Sequence, residues 1–192
     1  MAWHRVTLCA LLLALSAVML CGCSADEHKV RPTTTSSNAE MTTSTSETAP
    51  NESLQAGYKL FTSNGIQLTL PDDFVEEVGQ QRLTFHDKYS VILIEKESFT
   101  EHPSLPTMPL GDYCKTLIAT CNLETPVQII DGLYCWDYEI DIPNEGIRYN
   151  YFVVVYKTST DFWIVEFVSD SREAALHRDS FIAWAKMIEF TE

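Results

Sequence analysis

From Tyr58 onward, apolar residues recur at two spacings, every second position in some segments and at helical spacing in others. Tyr58–Thr62 and Ile66–Leu70 flank Asn64-Gly65, a pair that tolerates positive φ and so favours a two-residue hairpin turn. In the second segment Ile66, Leu68 and Leu70 share one face, the signature of a half-buried strand. Pro71-Asp72-Asp73 ends it. Arg82–His86 and Ser90–Glu95 predict a second hairpin around Asp87-Lys88, and Val91-Ile92-Leu93-Ile94 is apolar on both faces, as a central strand requires. A loop broken by Pro103, Pro106 and Pro109 precedes Leu110–Thr120, where Leu110, Cys114, Leu117 and Ile118 fall on one side of a helix. Asp131-Gly132 then joins Val127–Ile130 to Leu133–Ile140. Residues 143–146 turn into Ile147–Tyr156, and Thr158–Asp161 turns into Phe162–Val168. Asp170-Ser171-Arg172-Glu173 reads as a capping box opening a last helix, with Phe181, Trp184, Ala185 and Ile188 as its apolar face. Two hairpins, a helix, a three-strand meander and a helix give an α+β class: an antiparallel sheet flanked by helices.

The first 56 residues follow a different pattern. Val6 to Leu20 is an uncharged run of 15 residues after Arg5. Spanning a bilayer core of ~30 Å takes about 20 residues. The run has the length of a signal-peptide core instead, so residues 1–22 are expected to be a signal peptide. Residues 24–56 contain no Phe, Trp or Tyr and are rich in Ser and Thr, as in Pro32–Ser37 and Thr42–Ser46. Such a segment cannot bury enough apolar surface to offset its ordering entropy and is expected to be a disordered linker. The foldable part is then 57–192, long enough for one hydrophobic core.

Leu20-Cys21-Gly22-Cys23 resembles the lipobox of bacterial lipoproteins. The Cys at the second position departs from the usual small residue there. The resemblance implies cleavage after Gly22 and diacylglyceryl attachment to Cys23. It also implies a cell-membrane address, lipid-anchored and facing outside the cytoplasm. Multiple acyl chains, each CH₂ contributing ~0.8 kcal/mol, make such an anchor stable.

Three blocks of the domain carry a second resemblance. They are Phe61-x-x-Asn64-Gly65-Ile66-x-Leu68-x-Leu70-Pro71, the strand pair Tyr151–Tyr156 and Phe162–Phe167, and Phe181-Ile182-x-Trp184-Ala185-x-x-Ile188-x-Phe190. Together they are similar to the PsbP-like fold, including the small bacterial lipoproteins of its DcrB-like group. That family shares no catalytic residues, and its members act mostly as accessory or assembly factors. The resemblance implies an α/β/α sandwich and a non-catalytic binding or assembly module.

Charge narrows the partners. Residues 57–192 hold ten Lys/Arg and twenty-two Asp/Glu, a formal net of −12, which argues against nucleic acid because a binding domain needs a basic patch. Asp137, Glu139 and Asp141 alternate along one strand and so share a face, with Glu145 following in the turn. This acidic patch is a candidate for a cation or a basic partner. A pleated row does not converge on one point, as calcium coordination requires, so a solvated strand face is the plainer reading. The opposite face, Tyr134, Trp136, Tyr138 and Ile140, is expected in the core. Tyr149, Tyr151, Tyr156, Trp163 and Trp184 could line a ligand groove or pack sheet against helix.

No metal site, cofactor or catalytic motif emerges. His86, His102 and His177 stand alone, without a second His or Cys at ligand spacing. Cys114 and Cys121 on one helix would lie about 10.5 Å apart, beyond the ~7 Å a disulfide spans. A Cys121–Cys135 bridge stays open as an alternative to buried free thiols. The expected function is a membrane-anchored, non-catalytic binding or assembly module that takes a protein, such as an envelope protein, or another envelope component as partner. The alternatives are a small-ligand or cation binder and a hydrolase of unrecognised geometry.

Overall fold

The computed structural model describes residues 56–77, 82–143 and 146–191. The signal, Gly22, Cys23, the linker up to residue 55 and Glu145 lie outside the described residues. Among the described residues no helix is long and apolar enough to cross a membrane.

Among the described residues, ten strands and two helices form in the order β1 (Tyr58–Ser63), β2 (Ile66–Pro71), β3 (Val75–Glu77), β4 (Leu83–His86), β5 (Ser90–Ser98), α1 (Leu110–Thr120), β6 (Gln128–Ile130), β7 (Leu133–Ile142), β8 (Ile147–Lys157), β9 (Asp161–Asp170), α2 (Ala174–Lys186) and β10 (Glu189–Phe190). Seven strands build one antiparallel sheet in the order β3-β4-β5-β9-β8-β7-β6, and β1-β2-β10 build a second. The class is α+β.

Alternation along the long strands divides the core in two. Trp163, Val165 and Phe167 of β9, with Phe152 and Val154 of β8, face α2 and the small sheet. There they meet Ile66, Leu68 and Leu70 of β2 and Phe181, Trp184 and Ala185 of α2. The Tyr156 hydroxyl donates to the Ala185 carbonyl at 2.7 Å, which ties the end of α2 to β8. Phe162, Ile164 and Val168 of β9, with Tyr151, Val153 and Val155 of β8, face α1, whose Tyr113, Cys114 and Ile118 are buried against them. The sheet is thus covered on both faces, and its central strands are apolar on both for that reason.

Local chemistry explains the turns and the helix docking. Asn64 (φ 50°) and Gly65 (φ 92°) close the β1–β2 hairpin, and Asp131 (φ 51°) with Gly132 (φ 87°) close β6–β7. Both positions of each turn are left-handed, as tight hairpins demand. Asp87 turns β4 into β5 through its Oδ1, which accepts the Tyr89 N–H at 2.7 Å and the Ser90 N–H. A Cβ on Gly111 would lie 3.2 Å from the Tyr134 ring, so glycine lets the first turn of α1 settle directly on β7.

Two expectations about elements are corrected, and one strand is added. The capping box does not form: α2 starts at Ala174, and its N-cap Glu173 makes no side-chain cap bond. The Asp170 carboxylate instead accepts the Arg172 N–H at 2.9 Å, forming a turn before the helix. The last helix stops at Lys186 rather than running past Ile188. The chain then extends, so that β10 pairs with β2, and Thr191 N–H donates to the Gly65 carbonyl at 2.9 Å. Strand β3, too short to show periodicity, extends the large sheet beyond β4.

Candidate functional site

The acidic residues of β7 lie on one face, as their spacing required. It is the face that carries Cys135 and continues beneath α2. Asp137 is half-buried and ion-paired with Arg178 of α2, whose guanidinium also sits 4.8 Å from the centre of the Phe152 ring. Asp141 accepts Arg148 Nε at 2.6 Å and Arg148 Nη2 at 3.1 Å, and Glu139 accepts Arg148 Nη1 at 3.3 Å. Ser171 adds a hydroxyl donor to Glu139. The bond from Arg148 holds the Asp141 carboxyl below its ordinary range. The three carboxylates of the row are thus paired with two arginines of the same chain. Among the described residues no group of three His, Cys, Asp or Glu side chains could hold a metal ion.

The cysteines and aromatics also resolve. Cys135 is a buried free thiol on β7, so the Cys121–Cys135 bridge does not form; Cys121 is the half-buried C-cap of α1. Cys114 is likewise free and buried, and burial pushes its thiol up to about 12. Burial also raises Cys135, with the nearby Asp137 charge adding to it. The five aromatics proposed for one groove divide between two cores. Tyr151 and Tyr149 lie on the α1 side, and Tyr156, Trp163 and Trp184 lie on the α2 side. His86 lies beside Glu77 (3.5 Å) and His177 beside Glu173 (3.6 Å).

The densest polar chemistry lies where sequence reasoning did not look. Glu166 interrupts the apolar run of β9 and is only 3% exposed. Its face is fixed by alternation: Ile164 and Val168 point to the α1 side, so Glu166 does too. Strand register brings three partners to it. On β5, Leu93 pairs with Glu166, which puts Glu95 one step along the same face. Arg82 precedes β4 and reaches in from that side. Its Nη1 donates to Glu95 Oε1 at 3.3 Å and stands 3.7 Å from Glu166 Oε2. From the other side the Tyr138 hydroxyl donates to Glu166 Oε1 at 3.1 Å, and the Tyr138 ring stacks on Tyr151 with centroids 4.7 Å apart.

This cluster holds two carboxylates and one guanidinium, nearly all of it out of water. Burial pushes the Glu166 carboxyl up to about 7; Glu95 pushes in the same direction, while Arg82 and the Tyr138 hydroxyl pull back. Glu95 is raised as well, chiefly by burial and against the pull of Arg82. The Tyr138 hydroxyl is raised by burial and by the Glu166 charge beside it. Arg82 Nε and Glu166 Oε2 have no hydrogen-bond partner, and neither does Trp136 Nε1 on the same face. A glutamate inside the apolar run of β9 was the available sequence signal.

No family model matches this chain, and no curated protein sequence matches it. Its fold is similar to the solution structure of cyanobacterial PsbP (CyanoP) from Synechocystis, with 9% identity and a TM-score of 0.45, covering 71% of this chain and 94% of that one. It is also similar to a crystal structure from Bacteroides thetaiotaomicron, with 14% identity and a TM-score of 0.46. That match covers 71% of this chain and 49% of that one, so the chain spans about half its length.

Proposed function

We propose that the chain is a lipid-anchored lipoprotein of a bacterial envelope. Its folded part stands outside the cytoplasm as a non-catalytic binding or assembly module. The observation that carries this reading is Leu20-Cys21-Gly22-Cys23 at the end of a 15-residue uncharged run. Thirty-three mostly polar residues, 24–56, follow; a flexible chain of that length would reach about 30 Å. Like charges between the acidic domain and anionic headgroups favour the same arrangement, with the fold held away from the bilayer.

The disposition of reactive groups supports binding over chemistry. The two described free thiols are buried and poor nucleophiles. The carboxylates of the acidic row are paired with Arg148 and Arg178. Among the described residues, large apolar side chains are left exposed at Leu60, Val75, Tyr89, Ile129 and Leu176, the last 80% exposed. The Tyr89 ring stacks on His177, next to Leu176 in α2, so two of these five lie close together.

Two measurements test the reading. Fed radiolabelled fatty acid, cells are expected to label the wild-type chain and not Cys23→Ala, with mass spectrometry placing the acyl groups on an N-terminal Cys23. An intact N-terminus or an unlabelled wild type would overturn the anchor. For the module, a photo-crosslinking amino acid at position 176 in intact cells is expected to give one discrete adduct. Crosslinking no different from that at exposed Lys115 would count against a partner on that surface.

A further inference from the structure

The state of the buried cluster under the α1 side can be read from its unpaired atoms. Arg82 Nε is a donor without an acceptor, and Glu166 Oε2 is an acceptor without a donor, in side chains whose nearest charged atoms are 3.7 Å apart. An ionised carboxylate and a guanidinium this close and this dry would join in a two-point pair, the strongest geometry open to them. They do not. Arg82 points its Nη1 at Glu95 instead. A neutral Glu166 accounts for this: with one proton on the pair, Arg82 balances the single charge of Glu95, and no uncompensated charge is buried.

We propose that Arg82, Glu95 and Glu166 form a proton-operated switch in which the charge state of Glu166 decides which carboxylate Arg82 holds. In the protonated state Arg82 holds Glu95, as seen here. When Glu166 loses its proton, the guanidinium turns to it, with Nε and one Nη donating to its two oxygens. Glu95 is released toward the half-exposed side of the cluster.

The other groups facing the cluster set its limits. Tyr138 of β7 donates to Glu166 Oε1, and the Tyr151 ring of β8 backs it. Thr84 of β4 lies between Arg82 and the sheet interior, its hydroxyl 3.5 Å from the Arg82 carbonyl. Glu97, further along β5, is engaged by the Tyr113 hydroxyl of α1 at 2.9 Å. His86 lies toward the sheet edge beside Glu77. Arg82 is thus the one cation at hydrogen-bonding range of either buried carboxylate among the described residues.

The experiment is a pH titration of the full chain in detergent, followed by ¹³C signals of glutamate carboxyls and the ¹⁵N–¹H signal of Arg82 Nε. One carboxyl is expected to titrate near neutrality. The Arg82 Nε proton should move downfield with the same midpoint and exchange at least ~10-fold more slowly above it. Glu166→Gln should abolish the transition and keep Arg82 in its low-pH state. Glu95→Gln removes the competitor and should lower the Glu166 midpoint by about one unit or more; it decides the matter if Glu166→Gln does not fold. Three outcomes each overturn the switch: all carboxyls titrating in the ordinary range, an Arg82 signal that ignores the carboxyl transition, or a midpoint unmoved by Glu95→Gln.

Discussion

Replacing Phe162 by alanine tests how the α1 layer is held. Phe162 is fully buried at the start of β9. The Tyr113 ring of α1 stacks on it at 3.8 Å between centroids and 7° between planes, and Phe99 meets it edge-on at 5.2 Å. Lys157 stands over both phenylalanine rings, 5.4 Å from Phe162 and 5.8 Å from Phe99. Its Nζ donates to the carbonyls of Pro106 and Met108 at 2.8 and 2.9 Å, so the loop entering α1 is fastened to the same ring. Removing a buried Phe side chain costs about 3–5 kcal/mol through lost transfer energy and the cavity left behind. Each aromatic pair contributes ~0.5–1.5 kcal/mol beyond its area. With two such pairs broken, the expected loss lies at the upper end, about 4–5 kcal/mol. That is a large part of a whole domain's stability of roughly 5–15 kcal/mol. Urea unfolding followed by tryptophan fluorescence measures it as a lower midpoint at unchanged slope. A double-mutant cycle with Tyr113→Ala should add a coupling of at least ~0.5 kcal/mol. A loss below ~2 kcal/mol, or a coupling of zero, would mean that α1 is not docked through this ring.

Two more expectations concern buried titratable groups. Glu166 is raised in the folded domain to about 7, against an ordinary value of 4.5. Its contribution is therefore fully present below about 4.5 and drains as pH rises through about 7, by on the order of 3 kcal/mol. Thermal melts of wild type and Glu166→Gln at pH 5 and pH 8 isolate this, because the variant should gain relative to wild type at pH 8; an equal gap at both pH values refutes it. Cys114 and Cys135, buried and with thiols raised, should resist alkylation at pH 8 until the chain unfolds. Peptide-level mass spectrometry reads this, and native-state labelling of either at the rate of a free thiol contradicts their placement.

What was legible in the chain was whatever repeats locally. Asn64-Gly65 and Asp131-Gly132 marked hairpins because both turn positions need a left-handed backbone, a demand visible in two letters. The bounds of α1 were readable because Pro109 precedes it and its apolar residues keep helical spacing. The β7 row was placed on one face correctly, yet its surroundings were not. Spacing says that Asp137, Glu139 and Asp141 point the same way; it does not say that Arg178, forty-one positions later, arrives on that side with α2. The same limit explains β3 and β10, whose three and two residues gain their ladder only from distant partners. It also explains why the apolar run into Ile188 read as helix when pairing with β2 draws it out as strand.

Glu166 shows the consequence for function. In sequence it is one acid in Phe162–Val168, indistinguishable from an outward-facing residue of a half-exposed strand. Its meaning depends on β9 having neighbours on both edges and layers on both faces, which turns an alternating position into a buried one. Once β9 is central, a carboxylate there must be neutralised or paired. The register then supplies Arg82, Glu95 and Tyr138 from three elements spread over more than fifty positions. A cluster of this kind cannot be read from spacing because no two of its members are close in the chain in a repeating way. It can be read from a conflict: a charge where the strand order leaves no water. The acidic row of β7, conspicuous in the sequence, is quiet in the fold because arginines meet it. The single glutamate of β9, inconspicuous in the sequence, is left with an oxygen that nothing satisfies.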